Sequence, residues 1–296
     1  MSVLRRLCTL LLLFALTGCT HLIFQPMKQH LIDPRQRGIE TRDVYFESGD
    51  GVRLHAWFLP AQTETPQGTI VFLHGNAENI STHIGSVYWL PERGYNVFLF
   101  DYRGYGRSEG EPTLDGLQMD FRAALDKVFS MDAVNTGRVA VLGQSMGAVT
   151  AITGLADSPY KQRLDALIVE GAMSSYRDVA REKLSGFWLT WAFQWPLSLT
   201  ISDAYRPVEV IDEISPLPLL IIHSRDDRVI PVHHAKELFR AAREPKELWL
   251  VDEVPHIAAF TVQENREKLL QYLERVTEGR GGARTPLRQQ NLPSAR

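Results

Sequence analysis

The apolar residues fall into short blocks separated by polar, helix-compatible stretches. Val44-Tyr45-Phe46 and residues 54–59 flank Gly49-Asp50-Gly51. Two such runs around a glycine-rich turn predict a β-hairpin. Residues 69–73, 97–100, 139–142, 167–169 and 219–222 are continuous apolar runs, as expected for strands buried on both faces of a parallel sheet. Residues 247–251 predict a last strand. Between the strands, Leu117, Phe121, Leu125 and Val128 recur at helical spacing, so one face of that helix should meet the sheet. A hairpin followed by repeated β-then-α units predicts an α/β fold with a doubly wound, mostly parallel central sheet. Functional groups in such sheets gather beyond the carboxyl ends of strands. No internal repeat is visible.

The chain ends depart from this alternation. Arg5 and Arg6 precede an apolar stretch at 7–16. Ten residues are too few to span a bilayer but suit the apolar core of a signal peptide. Leu16-Thr17-Gly18-Cys19 follows and resembles the lipobox of bacterial lipoproteins, in which cleavage precedes the cysteine and its sulfur is lipidated. The expected organisation is a signal peptide at 1–18, a tether at 19–38, a catalytic domain at 39–275 and a disordered tail at 276–296. The tail is rich in Gly, Pro and Arg. The lipobox resemblance implies membrane attachment through Cys19 in the bacterial cell envelope. Thr20 rather than Asp after the cysteine points to the outer membrane, facing the periplasm. Cys8 would be removed with the leader, so no disulfide is expected.

Composition then narrows the function. The 296 residues are 44% hydrophobic and 23% charged, with a net charge of −3. This is enough chain for a full core without metal or disulfide, and it gives no sign of nucleic-acid binding. Gly143-Gln144-Ser145-Met146-Gly147 follows the predicted strand 139–142 and precedes the helix-compatible run 148–155. A G-x-S-x-G sequence between strand and helix lifts the serine hydroxyl above the sheet edge, at a helix N-terminus that favours developing negative charge. Ser145 is therefore the candidate nucleophile. Three further segments accompany it: Trp57-Phe58-Leu59-Pro60-Ala61, His74-Gly75-Asn76-Ala77-Glu78-Asn79, and Asp101-Tyr102-Arg103-Gly104-Tyr105-Gly106-Arg107-Ser108-Glu109-Gly110.

With these motifs the chain, from Ile39 to about Arg275, resembles α/β-hydrolases of the serine-aminopeptidase-like and monoacylglycerol-lipase-like group. Its HGNA and DYRGYG segments are similar to those of ABHD-type depalmitoylating enzymes. The resemblance implies an oxyanion hole from Asn76, by backbone or side-chain amide, and the backbone N–H of Met146, with Ala77 the less favoured substitute for Asn76. It implies a structural role for His74 and the chain order Ser, acid, His. His256, after the last predicted strand, stands where the base belongs. The acid lies in His223-Ser224-Arg225-Asp226-Asp227-Arg228-Val229-Ile230-Pro231; the family spacing selects Asp227, with Asp226 its neighbour and rival. A short helical lid is expected at about 181–205. Trp188, Trp191 and Trp195 stand at i, i+3 and i+7, one face of a helix. That face would pack on the core, line an acyl pocket or touch the membrane.

The expected activity is hydrolysis of carboxylic esters or thioesters, lipid-like or acylated, through an acyl-enzyme at Ser145. A serine peptidase or aminopeptidase is the second reading, with Glu170 the one evident group for a peptide amine and equally readable as a buried structural acid. A non-catalytic envelope-binding lipoprotein is the third. No metal or organic cofactor is implied, and the oligomeric state is open.

Overall fold

A computed structural model describes residues 23–134, 138–186 and 188–278. Its centre is an eight-stranded sheet: β1 (Arg42–Glu47), β2 (Arg53–Leu59), β3 (Gly68–Leu73), β4 (Tyr95–Asp101), β5 (Val139–Gln144), β6 (Ala166–Glu170), β7 (Leu219–Ser224) and β8 (Lys246–Val251). The spatial order is β8-β7-β6-β5-β3-β4-β2-β1. The hairpin β1–β2 is antiparallel, and β2 pairs antiparallel with β4. Every other pairing is parallel. Each apolar run read from the sequence became a strand of this sheet. The α/β-hydrolase-type sheet expected from the sequence is the sheet observed.

The long helices are α1 (Leu114–Ser130), α2 (Met146–Ala156), α3 (Tyr176–Ser185), α4 (Gln194–Ser198), α5 (His233–Ala241) and α6 (Gln263–Glu278), the fourth being short. Because side chains alternate along a strand, the sheet feeds two cores. Val71, Phe98, Phe100, Val141, Val169 and Ile221 join α1, α2 and α5 on one face. Phe72, Val97, Leu142, Ile168, Leu220 and Ile222 join Leu269, Tyr272 and Leu273 of α6 on the other. Leu117, Phe121, Leu125 and Val128 are all buried, as their spacing predicted. The helix-compatible stretch after His256 divides into a short 3₁₀ turn, Ala259–Thr261, and α6, which continues to Glu278. That is three residues past the expected domain end. The expected signal peptide, Cys19 and residues 279–296 lie outside the described residues. Among those described, no helix is long and apolar enough to cross a membrane.

The expected tether is shorter than the sequence suggested. From Ile23 onward the chain is laid onto the domain. Gln25–Pro26 pairs in parallel with Ala77–Glu78, and Pro34–Arg37 is a 3₁₀ turn opened by Asp33. Polar groups of the loop after β3 hold this strap. Asn79 Nδ2 donates to Met27 O at 2.9 Å and Gln29 O at 2.8 Å. The Leu31 N–H donates to Ser81 Oγ at 2.9 Å.

Candidate active site

β5 ends at Gln144 and α2 begins at Met146, so Ser145 is the whole of the turn between them. Its backbone is left-handed, with φ 53° and ψ −115°. A non-glycine residue held there carries strain of about 1–3 kcal/mol, which persists only where the surroundings impose it. They do so here. The Ser145 N–H donates to Glu170 O at 2.9 Å, and Ser145 O accepts the first helical N–H groups, from Ala148 at 3.0 Å and Val149 at 3.2 Å. The two glycines of the motif are required by space. A Cβ on Gly147 would strike Leu73 O and come within 2.6 Å of His74 O; one on Gly143 would stand 2.6 Å from Gly147 O. The turn therefore packs backbone against backbone, β5 against the end of β3, and lifts the serine to the mouth of the sheet.

His256 lies in the loop after β8. Its Nδ1 is 2.6 Å from Asp227 Oδ2. Asp227 Oδ1 accepts the N–H groups of Val229 at 2.8 Å and Ile230 at 2.9 Å. Burial works against the Asp227 charge, but the His256 hydrogen bond and charge and the two amides outweigh it, so its pKa falls below the usual aspartate value. An ionised carboxylate can only accept. The shared proton is thus on His256 Nδ1, and Nε2 is left as the basic nitrogen. Asp226, the rival acid, faces away: its Oδ2 accepts the N–H of Glu253 at 2.8 Å. Among the described residues, Ser145 Oγ and the His256 ring make no hydrogen bond to each other. Such bonds often tighten only when substrate is bound. The two residues flank the same turn, Glu170-Gly171. Gly171, at φ 62°, has no side chain, and a Cβ there would lie 2.8 Å from His256 Cε1.

Two groups with no bracing role legible in the sequence hold the histidine loop. Gln144, the second residue of the motif, donates through Nε2 to Glu170 Oε2 at 2.6 Å and to Ile257 O at 3.2 Å. Glu170 Oε1 accepts the Ala259 N–H at 2.7 Å. Both Glu170 oxygens are thus engaged inside the protein, with burial pushing its pKa up. It is a bracket between the ends of β5 and β6 and the histidine loop, not a group facing a peptide amine. Gln144 was visible as a letter of the motif, but its span to Ile257 had no sequence signal.

Met146 opens α2, where first-turn N–H groups have no partner within the helix. Asn76 sits in the loop after β3, but its side chain is committed elsewhere. Its Oδ1 accepts from the Gln25 N–H at 3.1 Å and Tyr105 Oη at 2.9 Å, and its Nδ2 donates to Ile23 O. The side-chain alternative for the oxyanion donor is therefore taken up by the strap, leaving the Asn76 backbone N–H. His74 is fully buried, its Nδ1 donates to Gly75 O at 2.7 Å, and burial pushes its pKa down to about 3. It is a neutral structural group. An apolar cluster of Val149, Met173, Tyr176 and Ile230, with Ile23, Val179 and Ile201 packed against it, adjoins the site.

The tryptophans differ from expectation. They do not share one helix: Trp188 is in a turn, Trp191 begins a 3₁₀ turn and Trp195 is in α4. Pro196 explains this, because a proline inside a continuous helix would lose a hydrogen bond and clash with the preceding turn. Nor do they pack on the core: they are 81%, 62% and 62% exposed. Among the described residues two clusters could offer three metal-ligating atoms each, His30 with His55 and Asp101, and Glu182 with His233 and His234. Both are already hydrogen-bonded internally, through His30 to Asp101 at 2.9 Å and His233 to Glu182 at 3.0 Å.

A G-x-S-x-G turn at the end of the fifth strand, and an Asp–His pair after the seventh and eighth, define an α/β-hydrolase. The chain belongs to the α/β-hydrolase superfamily, and it is similar to the YfhR proteins over most of its length. The YfhR protein of Escherichia coli O157:H7 is 33% identical over 279 residues, 89% of this chain and 93% of that protein. The α/β-hydrolase domain-containing protein WAV2 of Arabidopsis thaliana is 32% identical over 229 residues, covering 74% of this chain and 73% of its own. A family model described as serine aminopeptidase, S33, matches residues 64–203. Among solved structures, an esterase of Pyrococcus furiosus superposes with a TM-score of 0.67 at 24% identity, over 87% of this chain and 97% of that one.

Proposed function

We propose that this hydrolase cleaves carboxylic esters or thioesters through an acyl-enzyme on Ser145. The observation that carries the reading is the Asp227–His256 contact at 2.6 Å, at the same sheet edge as a serine held at φ 53°. His256 Nε2 takes the Ser145 proton as Oγ attacks the carbonyl carbon, then gives it to the leaving group. Asp227 holds the tautomer and stabilises the imidazolium. The backbone N–H groups of Met146 and Asn76 receive the oxyanion, each such donor being worth about 3 kcal/mol. Water then repeats the sequence on the acyl-enzyme. The apolar cluster beside Val149 and Ile230 favours an acyl group over a charged one. The lipobox at Cys19 supports attachment to the envelope, with the site on its periplasmic side.

The family description also raises an aminopeptidase. Against it stands Glu170, whose two oxygens are engaged. A fluorophosphonate probe should label the wild-type protein and not Ser145→Ala, and p-nitrophenyl acyl esters should be turned over in preference to aminoacyl anilides. Absence of label would end the serine-hydrolase reading; anilide turnover with negligible ester turnover would establish the peptidase.

A further inference from the structure

Residues 184–202 carry no Asp, Glu, Lys, Arg or His. A run of nineteen uncharged residues in a globular domain belongs in a core, and this one is on the surface. Trp188, Leu189, Trp191, Phe193, Trp195 and Leu199 are each more than half exposed. Among the other described residues only one large apolar side chain is as exposed, Leu31 of the strap. Contiguous apolar exposure on this scale marks an interaction surface. The rim is cationic in part: Arg181 lies 4.6 Å from the Trp195 ring centre, and Lys183 Nζ reaches Arg228 O at 2.8 Å. Tryptophan with flanking Lys and Arg is the composition that settles at a membrane–water interface.

The place where the strap starts identifies the occupant. Ile23 packs against the same apolar cluster as Val179 of α3 and Ile201, the latter a residue of the uncharged segment. Cys19 is four residues earlier, a reach of at most about 14 Å. A lipid on Cys19 would therefore hold this side of the domain close to the leaflet. We infer that the 188–199 surface docks on the leaflet that carries the Cys19 lipid, so that the active site draws acyl esters or thioesters of amphiphiles seated in that leaflet. This inference rests on the proposed lipid anchor and on the proposed Ser145 hydrolase.

The test uses the full chain, purified with its lipid from cell envelopes and reconstituted into phosphatidylethanolamine–phosphatidylglycerol vesicles, part of whose acyl chains are brominated. Bromine should quench much of the tryptophan fluorescence in the wild type. The quenchable fraction should fall sharply in the triple variant Trp188→Ser, Trp191→Ser, Trp195→Ser, because of the three tryptophans that remain Trp57 and Trp89 are buried and Trp249 is half-buried against the core. The same variant should lose at least about tenfold in turnover of an ester carried in the vesicle, while p-nitrophenyl acetate turnover stays within about twofold. Unquenched tryptophans, or equal losses on both substrates, would overturn the inference, as would a dimer in sedimentation that the triple variant abolishes. Mass analysis of the N-terminal peptide reads the anchor separately, and an unmodified Cys19 overturns anchor and docking together. Fluorophosphonate labelling reads Ser145 separately. Quenching without labelling would sink the hydrolase and keep the docking surface; labelling and lipidation without quenching would sink the docking surface alone.

Discussion

The floor of the proposed active site and the segment proposed as its lid are built by opposite means. On the floor, each group is held from several sides. Asp227 has three hydrogen-bond donors, and Ser145 is wedged between two glycines that admit no side chain. Between Gly186 and Ser202 the side chains of Trp188, Trp191, Phe193, Trp195 and Leu199 are exposed, and the C-terminal end is tied back to the start of α3. The ties include Arg177 Nη2 to Ile201 O at 3.2 Å and Ser175 Oγ to Asp203 Oδ1 at 2.9 Å. Chemistry needs geometry fixed within a fraction of an ångström, so the floor is over-determined. A surface that meets something outside the protein has its burial completed by the partner, and its sequence is not constrained by the protein's own core.

The sharpest break of this contrast is at the acid. Asp227→Asn should lower kcat/KM for a p-nitrophenyl ester by about 10⁴-fold, because an amide lets the imidazole take the wrong tautomer. Asp226→Asn, next in sequence, should stay within about threefold. Comparable losses would mean that the observed partner is not the working one.

Next comes the elbow. Gly147→Ala should cost about 1–3 kcal/mol of stability, read from urea unfolding, since its Cβ meets main-chain carbonyls that cannot step aside. An unchanged midpoint would show that β3 and β5 have more play at their ends than the packing implies.

A smaller effect is set by pH. Asp227 is more acidic folded than its unfolded value of 3.8. Its contribution to stability is therefore present above pH 3.8 and is lost as pH falls below that value toward the folded pKa. The melting-temperature advantage of wild type over Asp227→Asn should shrink over that acid window and stay flat between pH 5 and 8. A gap that closes near neutrality would assign the stabilisation to another group.

The smallest effect belongs to the lid. Trp188→Ser should change folding stability by no more than about 0.5 kcal/mol, although tryptophan is the largest side chain in the protein. A loss of several kcal/mol in a melting experiment would place it in a core after all.

Much of the floor was legible because its signals are local. The strand run at 69–73 leads directly into the HG turn and that at 139–142 directly into the G-x-S-x-G turn, and the backbone each dictates is short-range. The single-helix reading of the tryptophans failed on a local detail: their i, i+3, i+7 spacing is helical, but Pro196 prevents one continuous helix from displaying all three. The strap was missed for another reason. Its bonds join side-chain amides of Asn76 and Asn79 to backbone 50 to 53 residues earlier, and backbone acceptors leave no imprint on composition.

Hydrophobic periodicity and turn chemistry determined by themselves the order of the eight strands along the chain, the strand–turn–helix elbow at Ser145 and the loop that carries His256. Family spacing favoured Asp227 over Asp226, and tertiary structure brought Asp227 to His256; tertiary structure alone decided that Glu170 and Gln144 brace the histidine loop and that the tryptophans face outward. The physical reason is range. Strand, helix and elbow are set by neighbours within a few residues. The choice between two adjacent carboxylates, or between a buried and an exposed ring, depends on groups such as Gln144 and Ile257, which are 113 residues apart and meet only when the sheet has closed around them.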